Sequence, residues 1–185
     1  MIPAIQLTID GVTLRLMQPE DLPALHEVLR SNVPDFLPDD PALADNLQED
    51  APNFFVAEID GRVVAGGGID LGATGEQCVL YLGSVHRDFH RRGLGSLLLL
   101  ARLAWTEGSP GLVWAVVPER AVAFFERFGF EPLAVPRGRQ SAEGFVRLAR
   151  WVHPADREEI QGKLKSLSIR DLTGPEASGE SERAD

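Results

Sequence analysis

The sequence has a single cysteine, Cys78, among its 185 residues, so no internal disulfide can form; this fits a reducing, cytoplasmic setting. It has no run of about 18 apolar residues, so no membrane-spanning helix is expected. The start, Met1-Ile2-Pro3-Ala4, has neither a basic flank nor a long apolar stretch, which argues against a secretory signal. His26, His86 and His153 are scattered without metal-ligand spacing, so no metal site is expected. Positive charge is scarce. Lys and Arg total 18 against 28 Asp and Glu, a formal net charge of -10. Such a surface repels nucleic acid, which excludes a DNA or RNA partner unless a strong local basic patch exists. The scarcity is extreme from Ser31 to Gly61, where no Lys or Arg occurs among eight acids: Asp35, Asp39, Asp40, Asp45, Glu49, Asp50, Glu58 and Asp60.

What is present suits one globular domain. Hydrophobic residues make up 44% of the chain, enough for a core over residues 1–170. Residues 171–185 are small, polar and acidic, and are expected to form a disordered tail. Val12 to Leu16 alternates apolar and polar, the pattern of a half-buried strand. Pro19-Glu20-Asp21 begins a helix with Leu22, Leu25, Val28 and Leu29 on one face. Asn32 to Pro52 reads as a loop around one short helix near Ala42 to Leu47. Two strands, Asn53 to Ile59 and Arg62 to Ile69, flank the turn Asp60-Gly61, and Cys78 to Val85 is another. A helix over Leu94 to Thr106 is apolar nearly all round and should be buried. A strand over Leu112 to Val117, a helix from Glu119 to Phe128 closed by Gly129, strands over Phe130 to Val135 and Gly144 to Val152, and a helix over Pro154 to Leu167 complete the pattern. The expected class is α/β (or α+β), a mixed sheet of about seven strands with helices on both faces.

Against the acidic background, Arg87, Arg91 and Arg92 cluster within six residues. A small basic loop on an acidic protein points to an anionic ligand. The loop Phe89-His90-Arg91-Arg92-Gly93-Leu94-Gly95-Ser96 joins a strand to a buried helix. Backbone N–H groups at a helix start lack internal partners and sit at the positive end of the dipole, so they bind phosphate. Gly93 and Gly95 let the main chain approach a diphosphate, and the arginines add charge and forked donors. A nucleotide P-loop needs Lys then Ser or Thr after its second glycine, whereas Ser96-Leu97 follow here. A dinucleotide-binding turn needs a third small residue where Leu98 stands.

The loop resembles the signature of the GNAT (Gcn5-related N-acetyltransferase) superfamily: Gln or Arg, two residues, Gly, one residue, Gly or Ala. The hairpin Phe54 to Gly67 resembles that family's second and third strands, and Leu80 to Val85 its fourth. Ala121-Val122-Ala123-Phe124-Phe125-Glu126-Arg127-Phe128-Gly129-Phe130 resembles its second motif, with a Phe-Phe pair similar to the amino-acid N-acetyltransferase branch. The resemblance covers roughly residues 12 to 152. It implies acetyl-CoA as cofactor and transfer of an acetyl group to the primary amine of a small molecule or amino acid. The backbone of Gly83, Ser84 and Val85 would pair with the pantetheine arm. His90 and the backbone from Arg91 through Arg92, Gly93, Leu94 and Gly95 to Ser96 would hold the pyrophosphate. Phe125 would lie beside the cofactor.

Three departures stand out. His90 replaces the usual Gln or Arg. Pro118 replaces a frequent Asn. Phe125 replaces a frequent Tyr that donates a proton to the leaving thiolate, which phenylalanine cannot do; another group does so, or none is needed, since a thiol pKa of about 8.5 makes a tolerable leaving group. A general base would raise the neutral fraction of the amine. Glu58, Asp70 and Glu76 are the candidates, each with the alternative of a solvated edge charge. Tyr81 either reaches the cleft or packs. A backbone N–H near Val85 would polarise the thioester carbonyl. Cys78, Trp114 and Trp151 read as packing residues. Asp35, Phe36, Leu37, Asp39 and Asp40 would form an acceptor wall suited to a cationic amine, with an ordinary solvated loop as the alternative. A non-catalytic acyl-CoA-binding module and a protein acetyltransferase remain open. The partner is otherwise a small molecule, and the chain a monomer or homodimer.

Overall fold

The computed structural model describes residues 11–37, 39, 47, 53–74, 76–106, 111–133 and 143–167. The tail, Asp40 and the helix expected near Ala42 lie outside them, Leu47 excepted. Seven strands form one sheet: β1 (Val12–Leu16), β2 (Phe54–Ile59), β3 (Arg62–Asp70), β4 (Gln77–Val85), β5 (Gly111–Pro118), β6 (Glu131–Pro132) and β7 (Phe145–Val152), in the order β1-β2-β3-β4-β5-β7-β6. All neighbours are antiparallel except β4 and β5. That parallel pair needs a crossover, and a helix supplies it. Among the described residues the α-helices are α1 (Leu22–Arg30), α2 (Leu94–Ala104), α3 (Val122–Glu126) and α4 (Pro154–Ser166).

Each element follows from its residues. The hairpin turn holds Asp60 and Gly61 at φ 50 and 77, which a short polar side chain and glycine tolerate. Pro19 and Pro154 sit in first turns, where a missing N–H costs nothing. β3 is buried on both faces because α1 covers one side and α2 the other, so its residues 63 to 69 run apolar or glycine without alternation. α2 and α4 close the larger core, with Leu94, Leu97, Leu98 and Leu103 wholly buried alongside Ile160 and Leu164. α1 closes a smaller one through Leu25 and Leu29 against Phe54 and Val56.

Some boundaries differ from the sequence reading. The helix expected over 119–128 is a 3-10 turn (Glu119–Ala121) followed by the five residues of α3. Of the strand expected over 130–135, the described residues form a two-residue strand, Glu131–Pro132, and residues 134 and 135 lie outside them. Trp151, read as core, is 57% exposed on β7. It lies opposite Leu112 of the neighbouring strand, on the sheet face away from α2 and α4. Trp114 is half-buried, with the Arg147 guanidinium over its ring at 5.1 Å.

Candidate active site

The two parallel strands separate partway along. β4 and β5 pair only from Gln77–Leu112 to Leu80–Ala115. Beyond that point β4 runs on to Val85 and β5 to Pro118 without facing each other in the ladder. The cause lies in β4. Leu82 takes φ 48, a left-handed conformation costly for a bulky residue, and the β3–β4 register shifts between Gly66 and Gly68. Such a bulge kinks the strand and turns its end away. The wedge so opened is a cleft of about 1150 Å³, lined by Leu80 to Val85 on one side, Ala115 to Pro118 on the other, and the start of α2 at one end.

That end is the basic loop. Arg91 and Gly93 have φ 60 and 91, and Gly93 caps α2 without any side-chain hydrogen bond. The first helical bond runs from Leu97 N to Gly93 O at 3.0 Å. The N–H groups of Leu94, Gly95 and Ser96 therefore precede the helical ladder and are available to an anion. A Cβ placed on Gly95 would meet only Phe124 and Val85, both at 3.8 Å. Protein packing alone does not require glycine there. Among the described residues the lining holds His90, Arg91, Arg102, Arg120 and Arg127 but no Asp or Glu. In a chain of net charge -10, that concentration of arginines fits an anionic ligand.

Three consecutive glycines in β3 make the rest of the site possible. A Cβ on Gly66 would lie 2.4 Å from Leu25, one on Gly68 would lie 2.1 Å from the Tyr81 ring, and one on Gly67 would lie 3.1 Å from Nη1 of Arg102. Tyr81 both reaches the cleft and packs, edge-on to Phe54 at 5.8 Å between ring centroids. Burial pushes its phenol up to about 12, with the charge of Asp70 adding to the rise, so it stays protonated at neutral pH.

The remaining expected residues fall on two sides. Gly83, Ser84, Val85, His90, Arg91, Gly93, Gly95, Ser96 and Phe125 line the cleft. Leu94 is wholly buried and offers only backbone. Arg92 does not reach the lining; its guanidinium stacks over Phe89 at 5.2 Å. The Nε2 of His90 lies 2.8 Å from the Val85 carbonyl. A carbonyl only accepts, so Nε2 carries the hydrogen, and that nitrogen is engaged with backbone rather than available to a phosphate. Asn32, buried, donates to the same carbonyl at 2.9 Å. The Val85 oxygen is thus doubly occupied, and a ligand can meet that residue only through its N–H.

The three carboxylates proposed as bases lie elsewhere. Glu58 accepts from Arg15 at 3.0 and 3.3 Å. Asp70 accepts from the Gly72 N–H at 2.8 Å, and Glu76 is exposed at the entry to β4. None of them lines the cleft. The expected acidic wall also shifts. Phe36 and Leu37 do line the cleft, with Phe36 edge-on to His90 at 5.4 Å. Asp35 spends its charge on Arg87 at 2.6 Å, Asp39 is exposed and outside the lining, and Asp40 is outside the described residues. Cys78 is wholly buried and its thiol pKa is raised by burial, which fits a packing residue. Sequence reasoning missed Asn32, Arg102, Arg120 and Arg127. For Arg102 the signal existed: it is a charge inside a helix otherwise apolar all round. The described residues contain no cluster of three or more metal-ligating side chains, and no helix long and apolar enough to cross a membrane.

Residues 50–132 match the family model of an acetyltransferase (GNAT) domain. No curated protein matches the chain significantly. Among solved structures, Ard1 from Thermoplasma volcanium superposes with a TM-score of 0.62 at 22% identity, covering 76% of this chain and 97% of that one. The ribosomal-protein-S18-alanine N-acetyltransferase from Escherichia coli gives 0.60 at 19% identity, covering 77% and 95%. The N-acetylglutamate synthase from Neisseria gonorrhoeae, solved with coenzyme A and N-acetyl-glutamate, gives 0.60 at 18% identity; the match covers 79% of this chain and 36% of the synthase. Residues 50–132 thus carry the match to a GNAT acetyltransferase domain, and the described chain has the fold of these structures.

Proposed function

We propose that the chain is a coenzyme-A-dependent N-acyltransferase that moves an acetyl group from acetyl-CoA to the primary amine of a small molecule or amino acid. The observation that carries this reading is the unpaired stretch between β4 and β5, opening beside a helix start whose N–H groups are available to an anion. Gly95 fits the cofactor because its missing side chain leaves space at the phosphate end. When bound, acetyl-CoA would supply an activated acyl group and a thiol leaving group.

The chain's own residues divide the remaining work. The N–H groups of Leu94, Gly95 and Ser96, with Arg91, Arg120 and Arg127 around them, bind the phosphates. The unpaired backbone of β4 from Tyr81 to Val85 offers a strand edge to the pantetheine amides. With its carbonyl tied to Asn32 and His90, Val85 presents only its N–H, the donor suited to polarising a thioester oxygen. Tyr81, Ser84 and Ser96 are the hydroxyl-bearing residues of the described lining. We assign proton donation to Tyr81, since its phenol keeps its proton and Phe125 has none to give. With no described carboxylate in the lining, the amine enters as its neutral fraction, which favours an α-amine of pKa near 8 over a lysine-type amine near 10.4.

A thermal melt with coenzyme A tests the cofactor. A ligand that binds only the folded state at 100 times its Kd stabilises by about 2.7 kcal/mol, an upward shift of several degrees. A wild-type protein indifferent to both acetyl-CoA and coenzyme A removes the assignment. Phe125 and the absence of a described carboxylate favour a second reading, a module that binds acyl-CoA without turnover. Thiol release on mixing acetyl-CoA with an amine panel separates the two.

A further inference from the structure

We propose that Arg102 forms a second anion site in the same cleft, one that recognises a carboxylate carried either by the acyl group of the donor or by the acceptor amine. The proposal rests on the coenzyme-A reading above. Arg102 is only 4% exposed, and its Nε donates to the Leu98 carbonyl one helical turn earlier at 3.1 Å. No described residue accepts a hydrogen bond from Nη1 or Nη2, and no described Asp or Glu comes within ion-pair distance. Burial lowers the guanidinium pKa to about 10, so the group is still charged at neutral pH. A buried charge without a counter-charge is costly and is retained where something else supplies the partner.

The contrast with the chain's structural arginines sharpens the point. Arg15 fills its fork with Asp21 and Glu58. Arg150 spends its own on the Phe128 carbonyl and Asp156. Arg102 lines the cleft with its fork unspent. Its seat is built by two neighbouring strands: a Cβ on Gly67 or on Gly83 would come within 3.1 or 2.9 Å of Nη1. Arg102 also lies seven residues after Gly95 on α2, hence on the same helix face and about 10.5 Å farther along the axis at 1.5 Å per residue. The guanidinium is therefore not another phosphate ligand. It lies deeper in the cleft, beside the Gly83 backbone, toward the end where acyl group and acceptor would meet. With Nε engaged on Leu98, the Nη1–Nη2 edge remains, and that edge matches a carboxylate in bidentate geometry.

Binding, rather than turnover, tests this. In one arm, acetyl-CoA is compared with succinyl-CoA. In the other, with coenzyme A saturating, free amino acids are compared with their carboxamides. Wild type should bind the carboxylate member at least about tenfold more tightly in one arm, which names the source. Arg102→Met should bring that ratio within about twofold of unity while leaving the shift caused by coenzyme A intact, and Arg102→Lys, charged but without the fork, should fall between. Because it removes an uncompensated buried charge, Arg102→Met should melt no lower than wild type in the absence of ligand. A clear loss of melting temperature, or failure to fold, would instead mark the guanidinium as structural and overturn the proposal. Coenzyme A binding with no carboxylate preference in either arm, or a preference that survives Arg102→Met, also overturns it while sparing the cofactor reading. A wild type that ignores coenzyme A overturns both.

Discussion

Gly93 and Gly95 stand two residues apart and are glycine for different reasons. Gly93 sits at φ 91, where any side chain is strained, so Gly93→Ala should lower stability by about 1–2 kcal/mol whatever the ligand does. Gly95 is helical, and a Cβ there touches only Phe124 and Val85 at ordinary distance. Gly95→Ala should therefore gain about 0.5–1 kcal/mol of helix stability and melt a few degrees higher without ligand. The same methyl would project between two cleft-lining residues, so the additional shift from coenzyme A should shrink or vanish. An undiminished coenzyme A shift in Gly95→Ala would take the loop out of the cofactor site. Proton delivery is also decided by single side chains. Phe125 packs edge-on against Phe124 and Phe130 at 5.2 and 5.3 Å, and a phenol at its place would face the cleft that the ring already lines. If Tyr81 is the donor, Tyr81→Phe should cost roughly 10²-fold in kcat, and Phe125→Tyr in that background should recover part of it. Equal turnover of Tyr81→Phe and wild type would leave protonation of the thiolate to water.

At the level of elements, the strand β3 carries more of the site than its sequence advertises. Gly66, Gly67 and Gly68 are each required by a different neighbour: Leu25 on the α1 side, Arg102 on the α2 side, and the Tyr81 ring again on the α1 side. Gly68→Ala places a methyl 2.1 Å from Cζ of Tyr81. Either the strand yields or the ring leaves its place, so a loss of about 1–3 kcal/mol is expected. A urea melt reads that loss, and a change in the near-ultraviolet signal of the only tyrosine reports the ring. A variant as stable as wild type would mean that the ring moves without cost. This layout explains what the sequence disclosed and what it withheld. The alternation of Val12 to Leu16, the Asp60-Gly61 turn and the apolar run of α2 report local periodicity, and those elements appeared where expected. The loop from His90 to Ser96 was legible because a phosphate site is built from contiguous backbone. The splay was not, because it depends on Leu82 adopting φ 48 against a shifted partner strand. Arg102, Arg120 and Arg127 come to one cleft from three different segments, and no spacing rule joins them. Glu58 was misleading for the converse reason: its partner, Arg15, lies 43 residues earlier on the neighbouring strand.

Across the whole molecule, charge is sorted rather than averaged. The chain carries a net -10, yet the described lining of its cleft carries arginines and a histidine and no acid. The acids that matter for stability lie apart from it, and the Arg15 hub shows how. Arg15 on β1 donates from Nη1 and Nη2 to Asp21 at 2.6 and 2.8 Å and from Nη2 to Glu58 of β2 at 3.0 Å. Asp21, 7% exposed, also accepts from the Gln18 N–H at 2.8 Å. One guanidinium thus ties two strands to the turn that starts α1, and α1 in turn closes the smaller core. The hydrogen bonds from Arg15, then that from Gln18, hold the Asp21 carboxyl below its ordinary pKa, against the opposing effect of burial. A carboxyl depressed in the folded state adds stability that is complete above its unfolded pKa of about 3.9, and that is lost as pH falls through the folded value. Asp21→Asn should therefore cost about 2 kcal/mol between pH 5 and 7, where the wild-type carboxylate is charged, and the gap between the two proteins should close as pH drops below about 4. Because neither Arg15 nor Asp21 lines the cleft, the coenzyme A shift at pH 7 should be the same in both. Melting temperatures of the pair from pH 3 to 7 decide the matter. A gap that stays constant to pH 3 would mean that Asp21 acts through packing alone, and a lost coenzyme A response would mean that the hub also holds the cleft in shape.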